Sequence, residues 1–272
     1  MPRRCRGLRE ECCFLFEKML KERKGLNNIV ISPCCTPKLS LDEVLAVYSE
    51  IGFKKYEAFT SWAAPFDFNA DPQFYAGKLK QYGMTVTSMH LPPVKDEFDA
   101  TLNDAIKAAK FAAALGVEVV LFKASSRENY IKGAKPFLDA IEGLGLTPVL
   151  QNHSGSAIST LEDFKAVIEG INDPRMKTLL EVGHFHSVGV LWKEGYELLG
   201  DSIALIHIKD QIGKQSVPFD TGEVDLKGLF EHMKSVGYTG NYVVEMEVED
   251  SENTLTYLKD ALSYLEKINI GG

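Results

Sequence analysis

The chain has 272 residues, 45% hydrophobic and 25% charged, ordinary values for one globular unit with ample material for a core. Its formal net charge of −8 argues against nucleic acid as partner, since phosphate binding wants clustered Lys and Arg. The richest apolar run, Phe111 to Phe122, is interrupted by Glu118 and falls short of the roughly 20 residues that cross a bilayer, so no membrane partner is expected.

Residues 1–27 read as an N-terminal helical extension. Within the first 25, eight Lys/Arg against four Asp/Glu leave +4, and hence −12 for the remainder. Leu8, Cys12, Leu15, Phe16 and Met19 recur at helical spacing. Such a helix suits either the barrel's underside or a second subunit, leaving a homo-oligomer open. A secretory signal is not expected, because no uninterrupted apolar stretch precedes a small-residue cleavage site. All five cysteines (Cys5, Cys12, Cys13, Cys34, Cys35) lie in the first 35 residues. An odd number in adjacent pairs is neither a disulfide framework nor a CxxC zinc spacing, and reads as reduced thiols in a cytoplasmic protein.

From residue 28 to 272 one rhythm repeats. The apolar run 28–32 is followed by a helical pattern opened by Ser40 and Glu43, a capping-box pair. Run 55–60 precedes a helix started by Asp71 and Pro72. Run 84–90 ends at His90 and leads into a long helix over 96–116. Run 117–123 ends at Lys123 and precedes a helix over about 128–144. Run 146–152 contains Gln151, and Thr160 with Asp163 opens the next helix. Run 176–184 carries Glu181 and His184, run 203–209 carries His207 and Lys209, and run 241–247 carries Glu245. Gly52, Gly83, Gly116, Gly145 and Gly237 stand where helices should stop in a left-handed C-cap. Eight strand–helix units of about 30 residues predict a single (β/α)8 barrel, an α/β fold. An open doubly wound sheet would want a GxGxxG turn after the first strand, where the chain reads SPCCTPKLS.

Each run ends in polar groups, and parallel barrels build their sites from C-terminal strand tips. Gln151, Glu181, His207 and Glu245 come from four consecutive runs, so their side chains should converge. An amide, two carboxylates and an imidazole suit one divalent ion: Mn, Mg, Co or Zn. His90, Lys123 and Lys209 are candidate substrate contacts, as is Trp62 in the loop after the second run. A structural histidine or an ordinary ion pair, with Glu57 or Asp210, explains the first three equally simply. His153 and His186 are candidate supporting groups for the ligands.

The stretches LLEVGHFHSVG (179–189), IALIHIKD (203–210), the 217–247 segment and, more weakly, VLQNHSG (149–155) resemble the xylose isomerase-like TIM barrels, in the branch of sugar phosphate isomerases and epimerases. The resemblance covers residues 28 to 267. It implies a metal held by Gln151, Glu181, His207 and Glu245, where the family pattern has Glu, Asp, His and Glu. It also implies that His184 contacts substrate. The chain departs from the family's P-x-G-x-G loop, with Asp220 at the first glycine and Gly222 retained. Glu181 for Asp is a mild change. Gln151 for Glu removes a charge and a proton acceptor, which puts two-base epimerisation in doubt.

The expectation is therefore a metal-dependent isomerase or epimerase of a small carbohydrate, with Glu245 and His184 as its acid–base groups acting through an enediolate. A lyase of a related keto-polyol is the alternative, as is a non-catalytic sugar-binding protein with a decayed metal site. An abasic-site endonuclease on the same fold would need about twice the ligands.

Overall fold

The computed structural model describes residues 26–270, so the predicted N-terminal helix, with Cys5, Cys12 and Cys13, lies outside the described residues. Eight parallel strands close into a barrel: β1 (Ile29–Ile31), β2 (Lys55–Phe59), β3 (Thr85–His90), β4 (Val119–Leu121), β5 (Thr147–Gln151), β6 (Lys177–Glu181), β7 (Ile203–Ile208) and, after a hairpin, β10 (Asn241–Val244). β1 pairs with β10 through Val30 and Val243, which seals the cylinder. All eight predicted strands are present, each shorter than its apolar run.

The helices alternate with the strands: α1 (Leu41–Ile51), α2 (Pro72–Gln81), α3 (Phe98–Ala114), α4 (Arg127–Ala140), α5 (Leu161–Ile171), α6 (Val182–His186), α7 (Trp192–Leu199), α8 (Leu226–Ser235) and α9 (Thr254–Ile270). The predicted start signals act as such. Ser40 and Thr160 form reciprocal capping boxes with Glu43 and Asp163, and Asp71 caps α2 ahead of Pro72. The five stop glycines all have positive φ, from +62° at Gly83 to +118° at Gly52.

Two differences from the sequence reading bear on function. The sixth run does not continue as strand to His184. It ends at Glu181, whose side chain accepts from the Gly183 and His184 amides and starts the one-turn helix α6. A carboxylate facing bare amides favours helix over further strand. The second difference is a hairpin after β7, made by β8 (Asp210–Ile212) and β9 (Gln215–Val217). It is anchored by buried Asp210, whose carboxylate accepts from the amides of Gln211, Gly222 and Val224. A Cβ on Gly222 would fall 2.1 Å from that carboxylate, so the retained glycine is sterically required. Asp220, two residues before it, has a left-handed backbone with φ +69°.

Two cores result. A large outer one lies between sheet and helices. A small inner one fills the barrel with Val30, Val119, Leu121, Val149, Leu179, Leu205 and Val243.

Candidate active site

The inner core dictates what stands above it. Side chains alternate along a strand, so the residue two positions beyond an inward-facing one also faces inward. Adding two to Val30, Leu121, Val149, Leu179, Leu205 and Val243 gives Ser32, Lys123, Gln151, Glu181, His207 and Glu245. β2 and β3 add Glu57 and His90. The polar layer at the mouth is thus the apolar plug continued by one step.

His207 is its centre and is fully buried. Its Nε2 lies 3.1 Å from Glu57 Oε2. Its Nδ1 lies 3.2 Å from both Glu181 Oε2 and Glu245 Oε1, in hydrogen-bond alignment with neither. Burial alone would depress this ring, but Glu57 and Glu245 raise its pKa well above the imidazole range.

Glu57 has no solvent access and also accepts from Ser88 Oγ at 2.7 Å. Its Oε1 lies 3.0 Å from His90 Nε2. Burial would push its carboxyl up, but the two imidazoles hold it well below the usual carboxylate range. His90 Nδ1 lies 3.0 Å from Lys123 Nζ, and burial together with that positive charge pushes the His90 pKa down to about 4. His90 also stacks on Phe59 at 3.9 Å, and Trp62 meets Phe59 edge-on at 5.6 Å. Trp62 itself is 59% exposed and has φ +77°, a conformation that is an outlier for a bulky residue.

The opposite side of the mouth is held differently. Asn152 bridges β5 and β6, accepting from the Glu181 amide at 2.9 Å and donating to the Glu181 carbonyl at 2.8 Å. With Glu181 Oε1 spent on the start of α6, Oε2 remains for the mouth. Lys209 is 2% exposed, and its ammonium sits 3.1 Å from Glu245 Oε2 and 2.5 Å from Glu247 Oε2. Burial opposes its charge, yet these acids raise its pKa, and in turn Lys209 and His207 hold Glu245 low against burial. Its stem lies on Gly183, where a Cβ would approach Lys209 Cβ to 2.8 Å. Neither lysine has the partner considered from sequence: Lys123 bonds His90 rather than Glu57, and Lys209 pairs with Glu245 and Glu247 rather than Asp210.

His184 lies on α6, its Nδ1 3.1 Å from Ser154 Oγ and its ring 3.8 Å from that of His153. Burial depresses its pKa to about 4, so the ring is neutral at neutral pH. His186 turns to the rim, 3.1 Å from Glu223.

Among the described residues three buried side-chain atoms of this mouth lack a hydrogen-bond partner: Gln151 Oε1, Glu181 Oε2 and His207 Nδ1. Buried polar atoms left without a partner are costly unless something else fills them. Glu181 Oε2 and Glu245 Oε1 beside His207 Nδ1 form an oxygen-rich donor set with one imidazole, which fits a hard or borderline divalent cation, and Gln151 stands at the tip of adjacent β5. Glu57, His90, His207 and Glu245 also bring ligand atoms within 4.8 Å of one another, but the contacts among the first three are already hydrogen bonds of 3.0–3.1 Å. A third group, Cys34 with Glu245 and Glu247, is answered by the Lys209 ammonium, and burial keeps the Cys34 thiol protonated. Sequence reasoning missed Glu57, Ser88 and Asn152 as parts of this site.

The model of a family described as xylose isomerase-like TIM barrel matches residues 45–268. Among curated proteins, the L-ribulose-5-phosphate 3-epimerase UlaE of Salmonella heidelberg (strain SL476) is 23% identical over 214 residues, 69% of this chain and 74% of that protein. Among solved structures, the IOLI protein with a bound zinc atom superposes with a TM-score of 0.72 at 16% identity, covering 90% of this chain and 100% of that one. A D-tagatose 3-epimerase-like protein superposes with a TM-score of 0.72 at 17% identity, covering 89% and 98%.

Proposed function

This chain belongs to the xylose isomerase-like TIM barrel family, and we propose that it is a divalent-metal-dependent isomerase or epimerase of a small keto-sugar. The observation that carries the reading is the cluster of Glu181 Oε2, His207 Nδ1 and Glu245 Oε1 at the barrel mouth, with the partnerless Gln151 Oε1 at the tip of the neighbouring strand β5. The epimerase relatives and the zinc in the IOLI structure point the same way. Gln151, Glu181, His207 and Glu245 would hold the ion. When bound, it supplies Lewis-acid stabilisation of the negative charge that develops on a carbonyl oxygen.

The chain's own groups handle the proton. Glu245 is the candidate base: Lys209 immobilises Oε2 and keeps the group ionised, leaving Oε1 toward the mouth. The Glu245 carboxylate takes the proton from the carbon next to the carbonyl, and the C–H pair becomes the double bond of an enediolate. Returning the proton to the neighbouring carbon interconverts ketose and aldose. Returning it to the same carbon from the other face inverts that centre and needs a second group. Gln151 cannot serve, having no titratable oxygen. His184, neutral and partly buried beside Glu181, is the candidate partner. His90, Lys123 and Trp62 line the β2–β4 side as substrate contacts.

Gln151 also favours a second reading. With one acid–base group fewer than the family pattern, expulsion of a β-hydroxyl after the same proton abstraction gives a lyase. Incubation in deuterium oxide with L-ribulose 5-phosphate, D-tagatose and D-allulose tests both. Isomerase or epimerase action leaves deuterium in a sugar of unchanged formula, whereas lyase action yields a product lighter by one water. No exchange and no product with any metal-loaded sample refutes enzymatic proton transfer on these sugars.

A further inference from the structure

The hydrogen bonds behind His207 have a direction that can be worked out from donor and acceptor chemistry. A lysine ammonium only donates. His90 Nδ1, 3.0 Å from Lys123 Nζ, must therefore accept, and the His90 proton sits on Nε2 and is donated to Glu57 Oε1. Glu57 Oε2 takes the Ser88 hydroxyl and the His207 Nε2–H. A carboxylate only accepts and has two oxygens, so it can receive both rings at once. With Nε2 committed to Glu57, Nδ1 is the His207 nitrogen left for a ligand, and it faces Glu181 and Glu245.

We infer that Glu57 is a positioning residue that presents His207 to the cation through Nδ1, and that Lys123, acting through His90, fixes the direction of that hydrogen-bond chain. The inference rests on the cation seat proposed above. It excludes a rival seat that would use Glu57 itself as a ligand together with His90, His207 and Glu245.

The wiring makes Glu57→Gln informative. Glutamine offers one acceptor and one NH2, so one imidazole N–H would meet a donor. Lys123 prevents His90 from moving its proton to Nδ1, so the mismatch falls on His207 and disfavours metal at its Nδ1. Removing the Lys123 donor frees His90 to turn its tautomer and receive the glutamine NH2, which relieves His207.

The test is calorimetric titration of metal-stripped full-length protein with Zn2+, without substrate. Glu57→Gln should weaken binding by about 10–100-fold, the usual effect of losing a partner behind a ligand. Lys123→Met alone should stay within about threefold of wild type, and the double variant should recover at least about tenfold relative to Glu57→Gln. Equal affinity in Glu57→Gln, or no recovery in the double variant, overturns the inference. A second measurement needs no variant: nitrogen-15 shifts of Zn2+-loaded wild type should show His207 ligated at Nδ1 with a proton on Nε2. Ligation at Nε2 overturns the inference while leaving a metal site standing. Wild type that binds no Zn2+ overturns the proposed seat and this inference together.

Discussion

Glu57 Oε2 and His207 Nε2 lie 3.1 Å apart with both side chains fully buried, although 150 residues separate them in the chain. The pair ties β2 to β7 across the barrel interior. It places a negative charge behind the imidazole, opposite Glu181 and Glu245.

Glu245→Gln should remove proton exchange between solvent and a candidate keto-sugar while leaving the barrel folded. The amide keeps the size of the side chain but cannot take a proton. Loss of about 10²–10⁴-fold in the exchange rate, followed by NMR, is expected for a general base. An undiminished rate would remove Glu245 from that role.

Gln151→Glu restores a charge facing the Glu181 and His207 side. Metal affinity should rise by at least about tenfold, about 1.4 kcal/mol. If wild type already carries stoichiometric metal after purification and the variant binds no tighter, the amide is not a ligand. Elemental analysis and competitive chelation decide this.

Lys209→Met leaves Glu245 and Glu247 without their shared cation. Removing one member of a buried ion pair typically costs about 3–5 kcal/mol, because a charge remains buried and unmatched. Urea unfolding of the metal-free variant should show a lower midpoint with an unchanged slope. A midpoint equal to wild type would mean that water reaches the pair.

Stability of the metal-free protein should fall as pH drops from about 6.5 to about 4. Burial with the Lys123 charge holds His90 down to about 4, and burial holds His184 there too, so in this window the unfolded chain binds protons that the folded chain does not. For His90 the loss is on the order of 3 kcal/mol. Glu57, held low by His207 and His90, adds to the decline below the ordinary carboxylate value. His207 is raised, so both states carry its proton below pH 6.5 and it leaves the slope unchanged. Urea midpoints at pH 7, 5.5 and 4.5 measure this; a flat profile contradicts buried neutral rings.

The barrel was legible because a closed sheet repeats one physical unit eight times, and each repeat carries its own start and stop chemistry at Ser40, Asp71, Thr160 and the terminal glycines. The mouth residues were legible for a related reason: Gln151 follows Val149, and Glu181 follows Leu179, at the strand period of two. Glu57 was harder to read. It sits in KYEAF between Tyr56 and Ala58, and a lone acid in a buried strand could have been noticed as needing partners, but those partners come from 31 to 150 residues away. The turn from β6 into α6 was hidden because Val182, Gly183 and Phe185 continue the apolar run, while the bonds of Glu181 to the backbone decide the helix. The β8–β9 hairpin has three residues per strand, too few for a periodic signal.

The hydrocarbon plug formed by Val30, Leu121, Val149, Leu179, Leu205 and Val243 gives the cylinder a dry floor. Those hydrocarbon side chains carry no group that could accept or pass on a proton. A hydrogen ion lifted from a bound molecule therefore stays among the polar groups above that floor, which ties turnover to the side chains of the mouth.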